Sequence, residues 1–130
     1  MSRLHHVAVG SREVERLARF YGELFSLVEA RRQHDEQGAL RSIWLDLEGT
    51  WLMIEHSSEP PRVVNGIGSG PFLLALSVSE GERQRLEREL EARGHAIESR
   101  TSFTSYTRDP DGNRVAFSHY PNPASNSHES

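Results

Sequence analysis

The order of predicted elements in this chain runs twice, and that constrains its fold more than anything else. Leu4 to Val9 (LHHVAV) alternates and is β-rich, the pattern of a strand. Val14, Leu17, Ala18, Tyr21, Leu24 and Phe25 then recur at helical spacing as one apolar stripe, with Arg12, Arg16, Arg19 and Glu23 largely on the other side. Ser11 is placed to cap this helix. Glu13 and Glu15 fall in its first turn, where the helix dipole favours acids. Three short strands are predicted next, at 28–34, 40–47 and 51–56, with Glu36-Gln37-Gly38 and Glu48-Gly49-Thr50 as turns between them. Residues 57–70, rich in proline, glycine and serine, read as a linker or mobile loop.

After the linker the order returns. Phe72 to Val78 (FLLALSV) is a strong strand, and Ser79-Glu80-Gly81-Glu82 has the pattern of a capping box. Leu86, Leu90 and Ala92 lie on the buried side of a very charged helix that Gly94 ends. The Glu/Arg alternation from Glu80 to Arg93 reads as a solvated face with i,i+4 pairs. Strands are predicted at 95–100, 104–108 and 113–120, with Asp109-Pro110-Asp111-Gly112 as a tight turn.

The two copies are offset by roughly 65 residues, and each alone is too small for a good core. The expected fold is therefore α+β. Two βαβββ modules form a curved mixed sheet with helices outside and a cleft inside. One domain covers 1–120, with module one at about 4–57, a linker at about 58–70 and module two at about 71–120. Residues 121–130 are polar and read as a flexible tail.

Composition removes several classes of chemistry. There is no cysteine, so disulfides, thiolate metal sites, iron–sulfur clusters and Cys nucleophiles are excluded. All 15 basic residues are arginine, which excludes Schiff-base lysines and a P-loop lysine. A formal charge of -4 disfavours a nucleic-acid partner, and no apolar run is long enough to span a membrane. Arg3 followed by two histidines does not look like a signal peptide, so the cytoplasm is the expected location.

Four stretches resemble the vicinal oxygen chelate superfamily of glyoxalase I, bleomycin-resistance proteins, extradiol dioxygenases and fosfomycin-resistance enzymes. LHHVAV opens the first module. ARFYGELFSL matches a helix end that the family writes as FY followed by a Leu-Gly pair, with Ser26 standing where the glycine is usual. LLALSV opens the second module, and YTRDPDGNRVAF closes it. The resemblance covers residues 4 to 120 and implies paired βαβββ modules, each supplying half of a concave site.

It also implies a ligand set for a divalent metal such as zinc, nickel, iron or manganese, two ligands from each module. His6 falls at the first position, favoured over His5 by its spacing to the FY pair, and Glu55 at the second. The third falls on Leu73 and the fourth on Ala116, neither of which binds metal. Two protein groups are a poor anchor for such an ion. Among neighbours, Ser118 shares a face with Ala116 but is a weak ligand. His119 should face away, and His34 and His95 lie at strand edges.

Period-two alternation places Trp51, Met53 and Glu55 on one face of their strand. His6 and Glu55 could be metal ligands, a hydrogen-bonded core pair, or a general base and the carboxylate that orients it. Trp44, Trp51, Met53, Leu73, Phe103, Tyr106 and Ala116 are candidate walls of a ligand cavity, and the aromatics, with Phe117, are equally readable as core. Arg108 is placed to cap or pair with the turn at Asp109 and Asp111, whose acids read as turn formers.

Three functions follow as expectations. The first is a protein without a cofactor that binds a small apolar or aromatic molecule between modules, bleomycin-resistance-like, as a homodimer. The second is a metal-dependent glyoxalase-like lyase, isomerase or dioxygenase using His6 and Glu55 as ligands. The third is an acid–base enzyme that uses the same two residues without metal.

Overall fold

Alternation in WLMIEH decides how the first half is built. Leu52 and Ile54 are fully buried, while Trp51, Met53 and Glu55 between them are only partly buried. Each inward Leu or Ile contributes on the order of 2 kcal/mol by leaving water, enough to fix which face turns to the helix. The computed structural model, which describes residues 1–122, places β1 at His6–Ser11, α1 at Val14–Phe25, β2 at Glu29–His34, β3 at Leu40–Asp46 and β4 at Trp51–His56. The sheet order is β1-β4-β3-β2, with β1 parallel to β4 and the other pairs antiparallel. On α1, Val14, Leu17, Ala18, Phe20, Tyr21 and Leu24 are buried, and in the sheet Ile43, Leu45, Leu52 and Ile54 are too.

The second half follows the same plan, with β5 at Leu74–Ser77, α2 at Glu80–Ala92, β6 at Ser99–Arg100, β7 at Thr104–Arg108 and β8 at Arg114–Ser118. Its sheet order is β5-β8-β7-β6, again with one parallel pair, β5 and β8. The expected curved sheet is thus two four-stranded mixed sheets, one per module, in an α+β chain. Two compact units result, Met1–Pro61 and the part from Arg62 onward. Residues 123–130 of the expected tail lie outside the described residues.

Several expectations shift for identifiable reasons. Ser11 does not cap α1, because its pairing with His56 keeps it in β1. The N-cap is Glu13, without a side-chain cap, and Ser11 Oγ instead accepts the Glu13 N–H at 2.9 Å. The capping box of α2 forms in full: Ser79 Oγ accepts the Glu82 N–H and the Glu82 carboxylate accepts the Ser79 N–H, both at 3.1 Å. Ala92 is exposed. Gly94, at φ +83°, ends the helix while the His95 N–H reaches the Leu90 carbonyl at 2.8 Å. That bond holds His95 at the helix end, so the strand expected from 95 shrinks to Ser99–Arg100.

The charged face of α2 is not wholly solvated. Arg85–Glu89 and Glu89–Arg93 do form i,i+4 pairs on the surface. Arg83 and Glu87 turn towards the sheet instead. Arg83 Nε donates to Ser105 Oγ at 2.8 Å, and its other nitrogens donate to the carbonyls of Thr101, Ser102 and Thr104. Ser105 Oγ donates to Glu87, which also accepts from Arg100. Burial pushes the Glu87 carboxyl up, but the hydrogen bonds from Ser105 and Arg100, with the charges of Arg100 and Arg83, outweigh it and hold the group below its ordinary range. Among the described residues, no helix is long and apolar enough to cross a membrane.

Candidate functional site

The face of the first sheet opposite its apolar core collects most of the residues singled out from sequence. Strand register does the collecting: β1 sets His6 beside Trp51, Ala8 beside Met53 and Gly10 beside Glu55. On the other side of β4, β3 sets Asp46 beside Trp51, Trp44 beside Met53 and Ser42 beside Glu55. Paired residues share a face, so one end of it is aromatic and the other polar.

At the aromatic end the rings of His6 and Trp44 are 5.0 Å apart, those of Trp44 and Trp51 5.8 Å and edge-on, and those of His5 and Trp51 5.0 Å. His5 Nδ1 and His6 Nδ1 lie 2.9 Å apart, one donating to the other. The Trp44 indole N–H is buried with no hydrogen-bond partner. An unmet buried donor costs about 1–3 kcal/mol, a cost the fold carries on this face. At the polar end Ser42 Oγ donates to Gln33 at 2.8 Å. Arg41 Nε stands 3.8 Å from Glu55 Oε2, with both side chains about half exposed. A cavity of about 270 Å³ opens there, lined by Asp35, Ala39, Leu40, Arg41, Glu55 and His56.

His6 and Glu55 do not form the pair considered from sequence. In the parallel register His6 stands opposite Trp51, so Glu55 is four residues further along, about 13 Å at ~3.3 Å per residue. Each has another neighbour instead, His5 for His6 and Arg41 for Glu55.

In the second sheet, Ala116 is fully buried beside Ala75 and Tyr106, and Leu73, just before β5, is 36% exposed. The Arg114 guanidinium lies over the Tyr106 ring at 5.5 Å, and Thr104 Oγ1 bonds Ser118 Oγ at 2.6 Å. Phe103 is not grouped with Tyr106. It packs on His119 and Tyr120, with ring centres 5.4 and 5.2 Å away. Phe117 is fully buried core. His119 Nδ1 donates to the Asn122 carbonyl at 2.8 Å, which leaves Nε2 to accept from Arg83 at 3.3 Å, so this histidine belongs to the α2 contact.

The donor set does not suit a metal of the kind the resemblance implies. Carbon side chains occupy two of the four positions, Leu73 and Ala116. Among the described residues no three His, Asp or Glu side chains come close enough to hold an ion. Sequence reasoning set His5 aside in favour of His6 and missed Gln33, Arg41 and Ser42. Alternation in LRSIWLD would have put Ser42 with Trp44. Arg41 is out of phase with that face, near the register shift between Gln33 and His34.

The model of the Glyoxalase/Bleomycin resistance protein/Dioxygenase superfamily matches residues 3–117. The chain belongs to that superfamily. No curated protein matches this member. Among solved structures, a mutant of the genomically encoded fosfomycin resistance protein FosX from Listeria monocytogenes, complexed with Mn(II) and 1S,2S-dihydroxypropylphosphonic acid, is similar at 15% identity. Its TM-score is 0.75, covering 92% of this chain and 93% of that one. FosX from Mesorhizobium loti gives 14% identity, a TM-score of 0.74 and 92% coverage of both chains. Lactoylglutathione lyase from Agrobacterium tumefaciens gives 17%, 0.64 and coverage of 91% and 93%. These likenesses establish the fold.

In this glyoxalase-superfamily member the stretch from Asp109 to Asn113 serves the turn. Asp109 Oδ1 accepts the N–H groups of Asp111 and Asn113, Oδ2 accepts from the Asn113 side chain, and Gly112 takes φ +92°. Arg108 donates to the carbonyls of Gly112 and Val64 and to Glu98. The segment that most resembles the family therefore shapes the β7–β8 turn, and its Arg108 also ties that turn to Val64 and Glu98.

Proposed function

We propose that this superfamily member binds a small, flat, aromatic molecule against the aromatic face of its first sheet, in the manner of a bleomycin-resistance protein and without a metal cofactor. The observation that carries the reading is the cluster of Trp44, Trp51, His5 and His6 on the face opposite the fully buried apolar sheet residues, where both tryptophans are only partly buried. Rings on such a face present π-surfaces to a flat ligand, and each good ring contact adds about 0.5–1.5 kcal/mol beyond area burial. Leu73 and Ala116 at the positions of metal ligands support the same reading. The cytoplasmic homodimer expected from the sequence is part of it.

Tryptophan fluorescence titration against a panel of antibiotics and aromatic metabolites tests this. At least one flat compound should quench emission with saturation. Trp51→Ala should weaken that compound about tenfold, equivalent to ~1.4 kcal/mol, with the circular dichroism spectrum unchanged. A stoichiometric transition metal in untagged protein, with turnover lost on chelation and no aromatic ligand bound, would overturn the reading in favour of a metal-dependent lyase, isomerase or dioxygenase.

A further inference from the structure

We propose that the cavity at the polar end of the first sheet is a head-group subsite for a zwitterion, an ammonium and a carboxylate on one carbon, so that the ligand is a flat ring tethered to an amino-acid-like head. The inference rests on the aromatic-face reading above and names the ligand class it selects.

The cavity is about 270 Å³, below the ~300–1,000 Å³ of sites that enclose a whole drug-sized ligand. Its size fits one end of a molecule. Glu55 lies four residues along β4 from Trp51, about 13 Å at ~3.3 Å per residue, and on the same face. Met53 lies between them, flanked by Ala8 on β1 and Trp44 on β3, so the intervening surface is apolar. A flexible hydrocarbon or thioether tether suits that surface.

The charges choose the head. Arg41 Nε and Glu55 Oε2 are 3.8 Å apart, beyond hydrogen-bonding distance, and the side chains are 59% and 41% exposed. Neither head group makes a side-chain hydrogen bond among the described residues. The guanidinium keeps its donors and the carboxylate its lone pairs available. Asp35 is differently placed: its Oδ1 accepts the N–H groups of Gln37 and Ala39 and so fixes the β2–β3 turn as a wall of the cavity. A ligand carrying only an anion would meet Arg41 together with two carboxylates. One carrying only a cation would meet the two carboxylates but leave the Arg41 guanidinium beside it without an anion. An ammonium–carboxylate group matches both, the ammonium donating to Glu55 and the carboxylate accepting from Arg41. Both are charge-assisted bonds.

Three fluorescent probes sharing one ring and similar tethers decide it. Nε-dansyl-lysine carries the full zwitterion, dansylcadaverine lacks the carboxylate, and 6-(dansylamino)hexanoic acid lacks the ammonium. Nε-dansyl-lysine should bind about tenfold more tightly than either of the others. Arg41→Ala should erase its advantage over dansylcadaverine, and Glu55→Gln its advantage over the acid. Trp51→Ala should weaken all three alike. Equal binding of the three, still sensitive to Trp51→Ala, would overturn the head-group subsite and leave the aromatic face standing. If none of the three bound, the aromatic face itself would fail for such rings, and the subsite with it.

Discussion

The two modules share an element order and differ in how much of the helix-to-sheet contact is apolar and how much is hydrogen-bonded. In module one α1 lays Val14, Leu17, Ala18, Tyr21 and Leu24 on a sheet whose buried residues are Ile43, Leu45, Leu52 and Ile54. In module two α2 buries Leu86 and Leu90 alone, and β7 offers Ser105 and Thr107 where β3 offers Ile43 and Leu45. Arg83, Glu87, Arg100 and His119 complete that contact through directional bonds. Apolar burial is non-directional and tolerates small shifts. A hydrogen-bonded network specifies one arrangement and is costly when one member is lost. The first module gains its stability on the helix side and leaves its other face free for aromatic side chains. The second spends polar groups inside its own contact.

The largest effect should come from the apolar contact. Leu24 is fully buried in α1, and Leu24→Ala should cost about 3 kcal/mol, from lost transfer energy and the cavity left behind. Urea unfolding followed by circular dichroism measures it. A loss under ~1 kcal/mol would mean that the first helix is held by something other than its apolar stripe, and the contrast between modules would break.

The polar contact should answer to pH. Glu87 is held below its ordinary value of 4.5 in the folded chain. A depressed carboxylate contributes stability that is present above the unfolded value and is lost as pH falls through the folded one. At pH 7, Glu87→Gln should therefore destabilise the protein by about 1–2 kcal/mol, through weakened bonds to Ser105, Arg100 and Arg83. At pH 3 the wild type carries much of the same defect, and the gap between the two should narrow. A gap independent of pH would show that Glu87 acts through its shape and not its charge.

This contrast explains what could be read from the residues alone. The stripe in α1 and the alternation in WLMIEH are apolar signals, and they located the first helix and the shared face of Trp51, Met53 and Glu55, while the second helix was legible from its capping box, Leu86, Leu90 and Gly94. In TSYTR every position but one is polar, so nothing in the pattern tells Ser105 and Thr107, which are buried, from Thr104 and Arg108, which are less so. The same blindness made Arg83 and Glu87 look solvated among the other charges of α2. Arg41 was hidden because a shift in strand register, which no residue type announces, brings it to Glu55. The separation of His6 from Glu55 likewise depends on parallel register, which spacing to the FY pair does not encode.

The helix ends sharpen the comparison on a smaller scale. Both helices are followed by a residue with positive φ, Gly94 at +83° after α2 and Ser26 at +56° after α1. Ser26 also has ψ 43°, the left-handed region, and the Leu27 N–H bonds the Gly22 carbonyl at 3.0 Å across the turn. The backbone there needs what glycine supplies without a Cβ penalty, which is why a glycine is usual at this place in the helix end. A side chain in this conformation costs about 1–2 kcal/mol, and glycine returns part of that gain through the larger freedom of its unfolded chain. Ser26→Gly should therefore stabilise the protein by about 0.5–1 kcal/mol, read as a rise in the urea midpoint at unchanged slope. Gly94→Ser should lose a similar amount. If Ser26→Gly were neutral or destabilising while Gly94→Ser still cost stability, the two helix ends would not be equivalent, and the Ser26 hydroxyl would have to be making a contact worth the strain.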